Sequence, residues 1–452
     1  AVMKRIIIGG TKSGCGKTTV TCAILSALKR RSIEVSAFKC GPDYIDPMFH
    51  RKVIGVPSHN LDSFFCDRDT ILYLLDEYGS GSEISVIEGV MGFYDGEKGS
   101  AYSISELTET SAVIVIDCKG MSDSIGAVMS GFLNYRPNRI AGFIFDRLPV
   151  KLIPLAKRLC DELGTEYYGC LPKSDITIES RHLGLVTANE ISDIRSKLDK
   201  LGELAEQYIE IDKLLETEYA EFPHYNAPNL PYFSDAPTIA VANDNAFCFI
   251  YSENIELLKK MGCRIEYFSP LKDSNVPKAD GLLLYGGYPE LYAQELSANT
   301  KMLASVKKCI SNGIPTLAEC GGFMYLHDTL TDKDGAAYTM AGVIKGEAFP
   351  TSRLQRFGYI TMNTDHDNML CKAGENIAAH EFHYWDSTNC GNAFNAEKTD
   401  GKAWKCCHIS DNLYAGFPHI YFYSNVKTAE CFIRKCIEYG EKNGQSKKNS
   451  SN

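Results

Sequence analysis

The chain has 452 residues, of which 44% are hydrophobic and 23% charged, and its formal net charge is −10 at pH 7. This length is enough for two or three domains with sizeable cores, while the acidic balance argues against a nucleic-acid coat or a membrane-surface protein. No apolar run reaches the roughly 18 residues that a membrane helix needs.

The first half of the chain alternates compact apolar runs with segments of helical periodicity. The runs are RIIIGG (5–10), EVSAFK (34–39), ISVIEG (84–89), SAVIVID (111–117) and RIAGFIF (139–145). Continuous apolar strands between helices are typical of a parallel sheet covered on both faces, and ligands of such sheets bind at the carboxyl ends of the strands. The pattern predicts an α/β domain over residues 1–195.

A glycine-rich loop, GGTKSGCGKTT (9–19), follows the first of these strands and precedes a helical segment. Such loops hold phosphate through backbone N–H groups, with the lysine on the β- and γ-phosphates and the next hydroxyl on Mg²⁺. The spacing departs from the usual one, because Thr11 stands where the first glycine is expected. The predicted nucleotide-binding residues are Gly14, Gly16, Lys17, Thr18, Thr19 and, at the end of the next strand, Lys39.

Carboxylates follow two further strands of the predicted sheet. Asp43 and Asp46 lie in GPDYIDP (41–47) and are candidates for Mg²⁺ or for substrate, the alternative being a solvated acidic turn. Glu88 ends its strand where a carboxylate would meet the metal of the phosphate loop, since a buried glutamate without a partner is costly. Asp95, in a glycine-flanked turn, either faces substrate or only forms the turn.

The pattern changes between residues 196 and 236, where a charged helical stretch runs into EFPHYNAPNLPYFSDAP, and we interpret this region as a linker. Beyond it, TIAVAND, CRIEYFS, GLLLYGG and IPTLAECGG restart the alternation of strands with helices, which predicts a second α/β domain over 237–440. The polar residues 441–452 are expected to form a flexible tail.

A strand of the second half ends at Cys320, and the two glycines after it lead into a helix. A strained strand-to-helix turn of this kind exposes a nucleophile, and the helix N-terminus lowers the pKa of a thiol placed there. Gly286 and Gly287 end another strand, and their backbone N–H groups are candidates for part of an oxyanion hole. Spacing leaves three histidines open as the base, and these are His380, His383 and His419.

Several motifs together resemble one family, the cobyrinic acid a,c-diamide synthases, which are glutamine-dependent amidoligases of corrin biosynthesis. The motifs are SGCGKTT, FKCGPDYIDP, VIEGVMGFYDG, SRHLGL (180–185), GGYPELYAQELSAN, AECGGFMYL, RFGYI and HEFHYW. The likeness covers nearly all of the chain. It implies an N-terminal P-loop synthetase domain similar to dethiobiotin synthetase and a C-terminal class I glutamine amidotransferase domain, with Mg²⁺ as cofactor and ATP as co-substrate.

The resemblance also implies roles for the candidate residues. Cys320 matches the glutaminase nucleophile and His419 its catalytic base, with Gly287 and Gly321 at the oxyanion hole. The residues that fit the magnesium positions are Thr18, Asp43 and Glu88. Those that fall where the family contacts the corrin carboxylates or the reaction intermediate are Tyr44, Asp46 and Asp95.

Three positions depart from the family pattern. Tyr421 stands two residues after His419, where class I glutaminases carry a glutamate. We therefore expect a Cys–His pair in which no carboxylate orients the histidine. Asp146 replaces a typical adenine-reading asparagine, which leaves the choice of nucleotide open. Lys12 lies five residues before Lys17, where MinD- and ParA-type ATPases carry a lysine that acts across a dimer, and it is compatible with a homodimer.

The expected reaction is ATP- and glutamine-dependent amidation of the a and c carboxylates of cobyrinate in cobalamin biosynthesis, through acyl phosphates and ammonia from a Cys–His glutaminase. The same architecture would serve hydrogenobyrinate or Ni-sirohydrochlorin, and the sequence does not choose among these macrocycles. A regulatory ATPase of the MinD or ParA type is the alternative from another class, but it leaves residues 236–452 unexplained. The 17 cysteines lack zinc-like spacing, which indicates a cytoplasmic protein with free thiols, and no nucleic-acid or membrane partner is expected.

Overall fold

The computed structural model describes residues 3–96, 98–174, 176, 188–217 and 219–449, so the SRHLGL motif (180–185) lies outside the described residues. The chain divides into two compact units, Ala1–Pro228 and Asn229–Asn452. The boundary falls inside the region 196–236 that we interpreted as a linker. Among the described residues, no helix is long and apolar enough to cross a membrane.

A parallel sheet forms the centre of the first unit, as the sequence predicts. Its strands, within the part of the chain that is described, are β1 (Arg5–Gly10), β2 (Val35–Cys40), β3 (Ser58–Leu61), β4 (Ile84–Glu88), β5 (Ala112–Asp117), β6 (Ile140–Asp146) and β7 (Glu166–Leu171). They lie in the order β3-β2-β4-β1-β5-β6-β7, and every neighbouring pair is parallel. Because β4 lies between β1 and β2, with Glu88 opposite both Ile8 and Lys39, the end of β4 lies beside the phosphate loop that follows β1.

Helices cover this sheet. They are α1 (Lys17–Arg30), α2 (Ile45–Phe49), α3 (Arg68–Gly79), α4 (Ala101–Thr108), α5 (Ser124–Asn134), α6 (Ile153–Leu163), α7 (Ala188–Tyr208) and α8 (Ile211–Glu216), with shorter turns at His50–Ile54 and Val150–Leu152. Val20 and Ile24 of α1 share one apolar core with Leu198 and Leu201 of α7. The charged stretch that we assigned to the linker is therefore a helix whose apolar side packs into the first unit.

The second unit contains a mostly parallel sheet at its centre. Its strands, among the described residues, are β8 (Thr238–Ala242), β9 (Arg264–Phe268), β10 (Gly281–Leu284), β11 (Thr316–Glu319), β18 (His408–Ile409) and β19 (Leu413–Gly416). Their order is β18-β19-β11-β10-β8-β9, and the first of these pairs alone is antiparallel. The four apolar runs that the sequence singled out in this half correspond to β8 to β11.

A second, mostly antiparallel sheet of this unit was not predicted. It consists of β12 (His327–Thr331), β13 (Ala337–Thr339), β14 (Ile344–Asn363), β15 (Asn376–Ser387), β16 (Phe394–Glu397), β17 (Ala403–Cys406) and β20 (His419–Ile420). The pairing of β14 with β15 is shifted twice along its length. It brings the RFGYI and HEFHYW motifs together, since Tyr359 lies opposite His380.

Five helices of the second unit lie within the described residues. They are α9 (Ser252–Lys260), α10 (Ala293–Ala298), α11 (Thr300–Ser311), α12 (Gly321–Tyr325) and α13 (Val426–Asn449), with shorter turns at Pro289–Leu291 and Phe422–Ser424. Residues 441–449, expected to belong to a flexible tail, continue α13. The apolar core of this unit joins α11, α12 and the parallel sheet, with Phe323 and Cys320 among its members.

Candidate active sites

The loop between β1 and α1 has the backbone shape of a phosphate-binding loop. Gly14 and Gly16 have φ values of 70° and 99°, which glycine adopts without the steric cost that a side chain brings. A Cβ at Gly10 would lie 2.7 Å from Cγ of Lys17, so the loop closes tightly on the lysine stem. The ammonium of Lys17 donates to the carbonyl oxygen of Lys12 at 3.0 Å, and burial lowers the pKa of Lys17. It therefore lies within the loop where phosphate oxygens would bind.

Thr18, in the first turn of α1, contacts the end of β4. Its hydroxyl donates to Oε1 of Glu88 at 2.7 Å. The ammonium of Lys39 donates to the same oxygen at 3.0 Å and pairs with Oδ2 of Asp46 at 2.7 Å. Burial would raise the pKa of Glu88, but the positive charge of Lys39 and the contacts with His50 and Thr18 together outweigh it and hold this pKa well below its usual range. The carboxylate thus stays ionised in a fully buried position.

His50 is a further member of this cluster, and sequence reasoning did not single it out. It is fully buried, with Nδ1 2.9 Å from the hydroxyl of Ser58 and Nε2 3.5 Å from Oε2 of Glu88. The apolar residues just before it, Met48 and Phe49, could have suggested a buried position, where a histidine needs polar partners.

The residues around Glu88 fit a bound Mg²⁺. Oε2 of Glu88 is buried and lacks a hydrogen-bond partner among the described residues, and it belongs to the carboxylate that contacts the Thr18 hydroxyl. Oxygen ligands together with substrate phosphates are what Mg²⁺ prefers. Asp43 is engaged elsewhere, because its Oδ1 accepts the backbone N–H groups of Ile45 and Asp46 at 2.8 and 3.1 Å. The described part of the chain has no group of three or more His, Cys, Asp or Glu side chains placed to hold a metal, so a ligand role for Asp43 stays a prediction.

Asp46 and Asp95, also predicted for the first unit, have partners within the protein. Asp46 pairs with Lys39, Tyr44 is buried and Thr19 is half-buried in α1. Oδ2 of Asp95 accepts the backbone N–H of Gly92 at 2.9 Å, which is the turn-forming role that we left open for it. Contact of Tyr44, Asp46 and Asp95 with a substrate stays a prediction.

Asp146 and Lys12 both lie beside the phosphate loop, but Asp146 is buried and Lys12 is exposed. A Cβ at Gly16 would lie 2.7 Å from Cγ of Asp146, and burial raises the pKa of Asp146 to about 6. The Lys12 side chain is 65% exposed, with Nζ 3.9 Å from Oδ2 of Asp117. Exposed pairs of this kind contribute little to stability, which leaves Lys12 free to reorient.

In the second unit, Cys320 occupies a strained turn between β11 and α12. Its φ of 48° and ψ of −104° are rare for a residue with a side chain. The sequence led us to expect an exposed thiol, but Cys320 is buried and retains only 6% of its accessible surface. Burial raises the pKa of Cys320, and Glu290 acts in the same direction. The expected lowering of this pKa is contradicted, because the thiol is shielded from water and the backbone N–H of Gly321 offsets only part of that effect.

His419 lies close to Cys320. Strand β19 runs parallel to β11, with Gly416 opposite Glu319, so both residues follow the ends of neighbouring strands. A Cβ at Gly286 would lie 2.7 Å from Cε1 of His419 and 3.5 Å from Cβ of Cys320, which explains the glycine. Burial lowers the pKa of His419 to about 3, so the imidazole is neutral at pH 7, and the same burial disfavours the protonated form that a base must pass through.

The proposed oxyanion-hole residues are in contact with each other. A Cβ at Gly321 would lie 2.9 Å from the backbone nitrogen of Gly287, and a Cβ at Gly287 would lie 2.7 Å from the carbonyl carbon of Ala246. Both approaches require glycine. Two backbone N–H groups this close to the nucleophile are suited to stabilise an oxyanion, although that role stays a prediction.

The remaining histidines differ from His419 in their contacts. Nε2 of His383 lies 2.9 Å from Oε2 of Glu381, and its Nδ1 lies 2.6 Å from the carbonyl oxygen of Trp385. Both ring nitrogens of His383 are therefore engaged, which leaves neither for a thiol proton. His380 lies opposite His419 across the β15–β20 pair, with its ring against Phe357. The role of His419 as the base stays a prediction, and it agrees with the closeness of His419 to Cys320 around Gly286.

Glu319 is a second residue that sequence reasoning missed. It is 1% exposed, and its Oε1 accepts the backbone N–H of Ile420 at 3.0 Å. Its Oε2 lies 3.7 Å from Nδ1 of His419. A carboxylate at the end of an apolar strand, directly before the nucleophile, was the available signal, because a buried charge needs a partner.

Both units match known families. Residues 6–186 match the CobQ/CobB/MinD/ParA nucleotide binding domain, and residues 238–426 match the CobB/CobQ-like glutamine amidotransferase domain. The cobyrinate a,c-diamide synthase of Thermoplasma volcanium is 36% identical over 97% of this chain and 98% of its own length. That of Fusobacterium nucleatum subsp. nucleatum is 38% identical over 95% and 99%. A solved structure described as a GMP synthase protein of Thermoplasma acidophilum covers 47% of this chain and 100% of its own, but its TM-score of 0.32 and identity of 19% carry no argument.

Proposed function

The chain belongs to the cobyrinate a,c-diamide synthase family, and on this premise we propose that it amidates the a and c carboxylates of cobyrinate, one at a time, in cobalamin biosynthesis. The observation that carries the proposal is that one chain holds both a phosphate-loop site and a Cys–His site. A reaction that activates an acid and supplies nitrogen to it needs both. A phosphate loop alone would equally suit a regulatory ATPase.

The first unit activates the acid. The loop N–H groups and Lys17 bind the phosphates of ATP, and an oxygen of the substrate carboxylate attacks the γ-phosphorus while the bond to ADP breaks. Asp46 and Glu88 raise the pKa of Lys39 against the opposing effect of burial, so Lys39 keeps its positive charge near the transferred group. Thr18 and Glu88 would hold Mg²⁺, which when bound neutralises phosphate charge.

The second unit releases ammonia from glutamine. Sγ of Cys320 attacks the side-chain amide carbon, and Nε2 of His419 takes the thiol proton and returns it to the leaving nitrogen. The N–H groups of Gly287 and Gly321 donate to the oxyanion. Water then hydrolyses the thioester to glutamate. Ammonia attacks the acyl phosphate, phosphate leaves and an amide forms, so each amidated carboxylate uses one ATP and one glutamine.

The test uses the full chain with ATP, Mg²⁺ and glutamine, and offers cobyrinate, hydrogenobyrinate and Ni-sirohydrochlorin in separate reactions. Product mass, ADP and glutamate are measured together. We expect cobyrinate to pass through a monoamide to a diamide, with one ADP and one glutamate for each amide. Conversion of only another macrocycle would reassign the substrate, and ADP formation without any amide product would favour the MinD- or ParA-type alternative.

A further inference from the structure

The histidine of the glutaminase site lacks the carboxylate that its sequence position calls for. Class I glutaminases orient this histidine with a glutamate two residues later, and here that position is Tyr421. An imidazole is effective as a base in one orientation and one tautomer, and a carboxylate beside its other nitrogen can hold it there. The fold places a different carboxyl group beside the ring of His419.

Glu319 provides that carboxylate from the strand that carries the nucleophile. Its Oε2 lies 3.7 Å from Nδ1 of His419, and both side chains are 1% exposed. This oxygen has no hydrogen-bond partner among the described residues, whereas Oε1 is fixed by the N–H of Ile420, the residue after His419. One carboxylate thus contacts both the backbone and the side chain of the segment that holds the base.

We propose that Glu319 is the positioning residue that orients His419, by accepting its Nδ1–H and balancing the imidazolium charge when Nε2 takes the thiol proton. The inference rests on the proposed function of the Cys320 site. At 3.7 Å the contact is longer than a hydrogen bond, and catalytic contacts of this kind often shorten only when substrate binds. No atom of Glu319 joins the reacting groups, so its contribution is orientation and charge.

The other carboxyl groups near the thiol are less suited to this task. Oε2 of Glu381 lies 2.9 Å from Nε2 of His383 and 3.4 Å from Nε of Arg356. Its Oε1 accepts the indole N–H of Trp404 at 3.3 Å. Glu381 is therefore satisfied by its own network. Glu290 lies in the turn Pro289–Leu291 and acts on Cys320 by charge.

The decisive variant is Glu319→Gln, which keeps the shape and the acceptor for the Ile420 N–H. Because burial raises the pKa of Glu319 to about 8, both proteins are assayed above that pH, where the wild type carries the charge that the variant lacks. Glutamate release by the full chain is assayed without reference to the macrocycle, so failure of the inference is distinguishable from a wrong substrate assignment. We expect kcat for glutamine to fall by on the order of 10²- to 10⁴-fold, as for other orienting carboxylates, with KM unchanged. ADP formation driven by supplied ammonia should stay at the wild-type rate.

Two further variants separate positioning from structure. Glu319→Asp retains the charge at greater distance, and we expect it to recover part of the lost kcat even if Glu319→Gln folds poorly. Glu295→Gln removes an exposed carboxylate on α10 and should match the wild type. Wild-type kcat in Glu319→Gln, a loss confined to KM, or equal losses in Glu319→Asp and Glu319→Gln would overturn the proposal.

Discussion

The hydroxyl of Thr18 donates a 2.7 Å hydrogen bond to the buried carboxylate of Glu88. This contact joins the first turn of the helix after the phosphate loop to the end of the neighbouring strand β4. The same carboxylate oxygen accepts from Lys39, so a cation and a hydroxyl converge on Glu88. Glu88 is therefore the group whose removal should affect the first unit most selectively.

We expect Glu88→Gln to lower ATP-dependent amidation by on the order of 10²-fold or more, because it removes the charge that would hold the metal against the phosphates. Glutamate release in the second unit should continue. ADP formation is measured as a function of Mg²⁺ concentration, and the requirement for Mg²⁺ should rise.

The matched control for this variant is Glu83→Gln, an exposed glutamate just before the opposite end of the same strand. It should behave as the wild type. An unchanged Mg²⁺ requirement in a folded Glu88→Gln protein would contradict the assignment of Glu88 to the metal.

The two lysines of the phosphate loop should differ sharply. Lys17→Ala removes the buried ammonium and should reduce amidation with either glutamine or ammonia by on the order of 10²-fold or more, since it loses a charge contact to the phosphates. Lys12→Ala removes only an exposed side chain and should keep near wild-type rates. A loss in Lys12→Ala that depends on protein concentration would instead indicate an ATPase that acts across a dimer.

Cys320→Ser should separate the two half-reactions. Glutamine-driven amidation should fall by on the order of 10³-fold or more, because a serine hydroxyl is a far weaker nucleophile beside a neutral imidazole. Amidation with supplied ammonium salt should persist. Cys309→Ser, at a half-buried cysteine of α11, serves as the control, and loss of the ammonia-driven reaction in folded Cys320→Ser would show that the two sites are not separate.

The parallel strands of both units were predictable from sequence because each is a compact apolar run next to a turn. The β14–β15 hairpin was not, since its register shifts near Pro350 and Gly358 interrupt the alternation by which a strand is recognised. Helix α7 was mistaken for linker because its apolar stripe is narrow and its other faces are charged. That stripe is recognisable only once Leu198 and Leu201 are seen packed against α1.

The candidate sites were predictable to the extent that a local motif defines them. Lys17 and Thr18 begin the helix that follows a glycine-rich loop, and Cys320 lies in the turn before two glycines, which are the positions that the motifs predict. The contact of Glu319 with His419 was not predictable, because the two residues are far apart in sequence and meet only through the parallel pairing of β11 with β19. The environment of Cys320 was misjudged for a related reason, since burial is a property of the packed unit.

Asp146 should make nucleotide binding depend on pH. Its carboxyl is nearly buried beside Gly16 of the phosphate loop, and burial raises its pKa to about 6 against the opposing charge of Arg147. Above that pH the carboxylate is ionised and repels phosphate, whereas below it the neutral acid does not. We expect Asp146→Asn to bind ATP more tightly at about pH 7.5, by roughly 1–2 kcal/mol for charges several ångströms apart, with the advantage vanishing as the pH falls through about 6.

The measurement is calorimetric titration of both proteins with ATP across this pH range. The ratio of the variant's affinity to that of the wild type is compared between pH values, because the ionisation of ATP itself affects both proteins equally and cancels in that ratio. A ratio independent of pH would mean that Asp146 does not act on the phosphates, and a parallel titration with GTP would show whether the asparagine also changes the choice of base.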